Sequence, residues 1–94
     1  MRIVGIVWLR AVVDKLANKH SVDTTEVEEV LSNRPRFRRI ARGHVAGEDL
    51  YAMMGQSDAG RYLITFFVYK QSYDALIISA RDMTIAERRR YEKA

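Results

Sequence analysis

Residues Gly60–Arg81 read GRYLITFFVYKQSYDALIISAR. Tyr62 to Tyr69 is rich in aromatic and branched side chains, which suit a pleated surface. Lys70-Gln71-Ser72-Tyr73-Asp74 interrupts the run, and Ala75 to Arg81 resumes it. Two such runs across a short polar break predict a β-hairpin. Arg61 opens the first strand and Arg81 closes the second, so antiparallel pairing brings both arginines to one end of the sheet. Tyr62–Tyr69 is apolar on both faces and is expected mid-sheet, covered on both sides. In the second strand, alternation predicts Leu76, Ile78 and Ala80 on one face and Ile77, Ser79 and Arg81 on the other.

Outward from the hairpin, the preceding segments continue the strand pattern. Arg36–Ala41 is one predicted strand, anchored by Phe37 and Ile40. Glu48–Met54 is the next, after a turn at Gly43-His44-Val45-Ala46-Gly47. Upstream, the spacing turns helical. Leu9, Val12, Val13, Leu16 and Ala17 form one stripe of an amphipathic helix. Asp23-Thr24-Thr25-Glu26 is a capping-box pattern opening a second helix, which Asn33 and Pro35 stop. Residues 2–8 predict a short strand. Thr84-Ile85-Ala86-Glu87 opens a short terminal helix, too short to persist without docking. The expected fold is α+β: two N-terminal helices on an antiparallel meander of about four strands, with a short C-terminal helix.

With 94 residues and no cysteine, the chain predicts a single domain over residues 1–94, without disulfides or a thiolate metal site. The apolar start, Met1 to Leu9, is too short to span a bilayer. A cytoplasmic protein with no membrane association is expected. The net charge is +4, and twelve of the sixteen basic residues are arginine. Arginine suits bidentate contacts to phosphate or carboxylate, so the expected partner is a nucleic acid or an acidic protein. A solvated basic face explains the charge equally well. No phosphate-binding glycine loop or metal-ligand spacing is present.

Ile77-Ile78-Ser79-Ala80-Arg81, followed by Glu87-Arg88-Arg89-Arg90-Tyr91-Glu92, resembles the tail of the BrnT family, toxins of bacterial type II toxin–antitoxin pairs. Other landmarks follow in order. Trp8 heads the first helix. Lys19-His20 and Val22 match a KHGV segment, with Ser21 in the glycine's place. Glu26 to Leu31 matches the next helix, and Gly47-Glu48, Gly55 and Gly60-Arg61 match a GE…G…GR pattern. The resemblance covers Trp8 to Glu92. It implies a RelE-like fold, RNA cleavage that halts translation, no cofactor, and a co-encoded ribbon–helix–helix antitoxin. The expected assembly is a toxin–antitoxin heterotetramer or, as a third reading, a homodimer through the apolar sheet face of a structural subunit. The sequence departs from the family at Leu9, Val12, Val13, Leu16 and Leu50, where polar residues are usual. Those departures favour a second reading: a toxin-like module that binds RNA or a protein with cleavage weakened or lost.

Metal-free RNA cleavage needs a base for the 2′-hydroxyl, a cation for the charge developing on phosphorus, and an acid for the leaving oxygen. The cation commonly contributes most. Arg81 and Arg61 are the candidates for it, expected to converge. His20 is a candidate acid or base, and Glu48 a candidate base. Arg81 has a structural alternative, pairing with Asp82, Glu87 or an acidic residue of the early helices; so does Glu48, as an ion pair. His20 reads equally as a helix-end residue, His44 as a turn residue and Tyr51 as packing. Lys19, Arg36, Arg38, Arg39 and Arg88 are the expected RNA contacts, with Phe37 interleaved for stacking.

Overall fold

The computed structural model describes residues 1–93. The order is β1 (Gly5–Val7), α1 (Arg10–Lys15) running into a π-helical turn (Leu16–His20), α2 (Thr24–Ser32), β2 (Arg36–Ala41), β3 (Leu50–Gln56), β4 (Tyr62–Tyr69), β5 (Asp74–Asp82) and α3 (Ile85–Lys93). The strands form one sheet in the order β1-β5-β4-β3-β2.

This corrects the expected sheet of about four antiparallel strands. There are five, and the sheet is mixed: β1 lies parallel to β5, with Gly5 opposite Asp74 and Val7 opposite Leu76. The partners lie nearly seventy residues apart in sequence, so no local turn signal announces the pairing. β2, β3, β4 and β5 do form the expected antiparallel meander.

One sheet face is covered over its centre by the helical layer. Leu16, Val22, Val27 and Val30 from the helical layer pack on Met53, Leu63, Phe67, Ala75, Ile77 and Ala80. The Asp23–Glu26 capping box forms reciprocally, the Glu26 N–H donating to Asp23 Oδ1 at 2.9 Å and the Asp23 N–H to Glu26 Oε1 at 3.2 Å. It starts α2 where Val27 and Val30 can both be buried. Gly55 lets the helix approach, since a Cβ there would sit 3.0 Å from Val30 Cγ1. The end of α2 is tied down by the Asn33 amide, which donates to the Gln56 carbonyl and to Asp58.

The other face is mostly open. Ala52, Met54 and Ile64 form a small second core there with Phe66, Met83 and Tyr91, so α3 covers only one end. Phe66 and Val68 stay half-exposed, against the expectation that β4 is covered on both sides. The alternation in β5 also differs from the simple pattern. The register slips between Phe66/Ser79 and Phe67/Ile77, leaving Ile78 as the extra residue of a bulge. A bulge moves every later residue of the strand to the opposite face. Ile77 and Ala80 are therefore both buried, while Ile78 is 42% exposed.

Candidate functional site

The two arginines expected to converge share an end of the sheet but not a face. Arg81 stands opposite Ile64, which belongs to the open face. Arg61 instead reaches the helical layer. Its Nε donates to Asp82 Oδ1 at 2.7 Å and its Nη2 to Asp82 Oδ2 at 3.2 Å. Nη1 donates to the Ser21 carbonyl at 2.7 Å and to Glu26 at 3.1 Å, and Nη2 to the His20 carbonyl at 2.9 Å. Every N–H of this guanidinium has an acceptor. Arg61 thus closes the carbonyl end of the π turn, the start of α2 and the end of β5 together. Asp82, outweighing the cost of burying the guanidinium, holds it further into the charged form, and Arg61 in turn lowers the Asp82 pKa. A two-arginine phosphate clamp does not exist in this arrangement.

Arg81 is paired differently. Nη1 donates to Glu87 Oε1 at 2.7 Å and to the Asp82 carbonyl at 3.1 Å, and Nη2 to Glu87 Oε2 at 3.0 Å. Its Nε–H and one Nη2–H have no acceptor among the described residues. Glu87 also serves the second capping box, accepting from the Thr84 N–H at 2.8 Å while its own N–H donates to Thr84 Oγ1. Arg81 chiefly, with help from Thr84, brings the Glu87 pKa down to about 2. Such a carboxylate is a poor proton acceptor near neutrality.

The open face carries a repeated motif of guanidinium on ring. Arg81 lies 5.6 Å over Phe66, Arg36 5.8 Å over Tyr91 and Arg88 3.8 Å over Tyr62. Arg38 joins them by register, opposite Ala52. These are cation–π distances, and the pairing places phosphate-binding groups beside stacking surfaces.

Other expected contacts fall elsewhere. Arg39 stands opposite Tyr51 on the helix-covered side and meets Asp49 at 3.5 Å. Phe37 packs edge-on against Phe67, centroids 6.1 Å apart, and cannot stack beside Arg36 or Arg38. Tyr51 stacks on Phe67 in the same aromatic group. Lys19 and His20 end the π turn in the helical layer. Glu48 accepts from Lys70 Nζ at 2.7 Å and from the Gln71 N–H at 3.2 Å; Lys70 foremost lowers its pKa. It sits at the opposite end of β4, six residues from the level of Arg81, or roughly 20 Å. His20, Glu48, Arg61 and Arg81 are therefore not one constellation. Among the described residues, no group of three or more His, Asp and Glu side chains is placed to hold a metal ion.

Beyond α3 the open face is apolar. Val7, Leu76, Val68, Leu50 and Ala41 are successive cross-strand neighbours, a row five strands wide. Leu50, one of the departures, lies in this row; Leu16, another, is buried in the helix-covered core. Sequence reading missed the row, the rings under the arginines and the role of Asp82. The i, i+2 set Ile64, Phe66 and Val68 was the available signal, but the bulge hides which β5 residues join it.

Comparison with known proteins decides the family. The profile described as the ribonuclease toxin BrnT of type II toxin–antitoxin systems matches residues 8–87. The chain belongs to the BrnT family. Its fold is similar to the crystal structure of the Brucella abortus ribonuclease toxin BrnT, with a TM-score of 0.62 and 20% identity, over 85% of this chain and 96% of that one. No protein of curated function matches it. No helix among the described residues is long and apolar enough to cross a membrane.

Proposed function

We propose that this BrnT-family chain, one toxin domain over residues 1–94, is a metal-independent endoribonuclease that binds RNA on its open sheet face and so inhibits translation in the cytoplasm. The observation that carries the reading is the set of three arginines on three aromatic rings, all on one face. Single-stranded RNA is bound by that combination of backbone cations and stacking platforms.

The reaction is attack of a 2′-oxygen on the adjacent phosphorus. The 2′-hydroxyl gives its proton to water as the O2′–P bond forms, and the 5′-oxygen takes one from water as the P–O5′ bond breaks, leaving a 2′,3′-cyclic phosphate and a 5′-hydroxyl. Arg81 supplies the cation: its fork is fixed by Glu87 and its remaining N–H groups are available to a phosphate oxygen. Arg36, Arg38 and Arg88 hold the flanking backbone, and Phe66 offers a ring to a base. Glu87, held near pKa 2, orients Arg81 rather than moving a proton.

The proposed partner is a ribbon–helix–helix antitoxin. The apolar row flanked by Arg38 suits an amphipathic segment with acidic edges. The test is incubation of the purified chain, freed of any partner, with RNA in the presence of a chelator. Cyclic-phosphate ends are expected, and their loss in Arg81→Ala. RNA retained on a gel without products would replace this reading by the binding module, which the Leu50 departure on the same face favours.

A further inference from the structure

A second cationic feature lies apart from the ring-backed arginines. The connection between β2 and β3 folds around a cavity of about 430 Å³ lined by Arg39, Arg42, Gly43, His44, Gly47 and Asp49. It is held in shape from within and from outside. The Gly43 N–H donates to Asp49 Oδ1 at 3.1 Å. A Cβ on Gly43 would stand 1.8 Å from the Glu48 carbonyl oxygen, so the backbone closes on itself only with glycine there. Gly47, at φ +79°, turns the chain back. The β4–β5 turn then clamps the loop. Lys70 reaches Glu48, and the Gln71 side chain donates to the Ala46 carbonyl at 2.7 Å.

The charge inside is unbalanced. Asp49 is the one carboxylate among the lining residues. One of its oxygens is taken by the Gly43 N–H and the other faces Arg39 at 3.5 Å. Arg42 and His44 have no hydrogen-bond or ion-pair partner among the described residues. A solvent-exposed guanidinium and imidazole thus border a polar hollow in a braced loop, neither committed to a partner among the described residues. A phosphate group has the charge, the size and the acceptor oxygens to do so.

We propose that this loop is a second phosphate subsite, holding the RNA backbone away from the point of cleavage. The inference rests on the open-face RNA reading and extends it. Along the strand direction, the level of Arg81 and the start of the loop are four residue steps apart on β3, from Met54 to Leu50, or roughly 14 Å. Arg39 and Asp49 turn toward the helix-covered side, so a single strand running along the open face from Arg81 past Arg38 reaches the loop by passing over the end of the sheet beyond Ala41 and Leu50. The loop would set how far the RNA extends from the cut, a length requirement that the sheet face alone does not impose.

The test uses the intact chain and a short 2′-O-methyl oligoribonucleotide, which binds without being cut, followed by amide NMR. The expected result is that the Gly43 and Gly47 amides shift together with those of Phe66 and Arg81. Arg42→Ala is expected to weaken binding about fivefold and to lower the salt slope by about one unit. Arg42 is exposed and unpaired, so this variant keeps its fold. If only the sheet-face amides move, the subsite is overturned and the RNA reading stands. If neither set moves, both fall. Inorganic pyrophosphate, titrated separately, identifies the source of the phosphate. Shifts at the loop with pyrophosphate but not with the oligonucleotide would make it a site for a free anion and overturn the proposal.

Discussion

Arg61 and Arg81 stand at one end of the same hairpin, and their surroundings assign them different work. Arg61 turns into the helical layer, where two carboxylates and two backbone carbonyls use every N–H it has. Arg81 turns to the open face, where one carboxylate grips two of its nitrogens and leaves donors over. The same side chain is a fastener in one place and, under the proposed function, a reagent in the other. Accessibility does not separate them well, at 26% and 34% side-chain exposure. The count of unsatisfied donors does.

The sharpest way to break this contrast is to remove each arginine in turn. Arg81→Ala is expected to lower the cleavage rate by about 10²–10³-fold, the usual cost of one preorganised group facing developing charge. Its thermal midpoint should fall only a few degrees. Arg81→Lys keeps the charge without the fork and should fall between. A cleavage assay beside a melting curve reads both.

Arg61→Ala should do the reverse. It leaves Asp82 and Glu26 without their cation and two carbonyls without a donor. The expected loss is about 3 kcal/mol, or at least about 12 °C in melting temperature for a domain of this size. Cleavage per folded molecule, measured well below the midpoint, should survive. A stable Arg61→Ala without activity would reverse the assignment.

Acid sharpens the comparison further. Glu87 has its pKa brought from 4.5 to about 2 by Arg81 and Thr84. A carboxylate with a depressed folded-state pKa stabilises the fold above its unfolded value, and that stability is lost as pH falls through the folded value. With Arg81 34% exposed, solvent screening reduces the pair's contribution to about 1 kcal/mol, which should be present above about pH 4.5 and disappear toward pH 2. Glu87→Gln should remove most of it at neutral pH and flatten the acid limb of a stability–pH curve. An unchanged limb would mean that the pair contributes nothing.

The smallest expected effect concerns the turn that Arg61 closes. Ser21 sits at φ +53°, where the family's segment carries glycine. Ser21→Gly should add about 0.5–1 kcal/mol by relieving left-handed backbone strain. Urea unfolding measures it, and a loss instead would show that the serine side chain contributes there.

Much of this fold was legible in local signals. The bounds of β2 and β4 follow from composition and turns, and α2 from its capping box, because each signal acts within a few residues. β1 was legible as a strand but not as the partner of β5, because parallel pairing across the chain leaves no mark in either segment. The site was less legible. Alternation assigns faces only while register holds, and the bulge at Ile78 breaks it midway through β5. Arg36 and Arg39 look alike in sequence, yet the pleat sends one toward Tyr91 and the other toward Asp49. Glu48 read as a base or an ion pair beside the basic segment, and its partner could not be named because Lys70 lies in a distant turn.

Glu87 already occupies the fork of Arg81, so an incoming anion enters a competition. A small solute such as chloride offers less than the resident carboxylate and gains no foothold. A polynucleotide brings further handholds at Arg36, Arg38 and Arg88 and can prevail through their sum. Under the proposed function the internal rival therefore works as a filter for chain length, weakening the hold of any single small anion relative to a long polymer, whose binding still falls as salt rises.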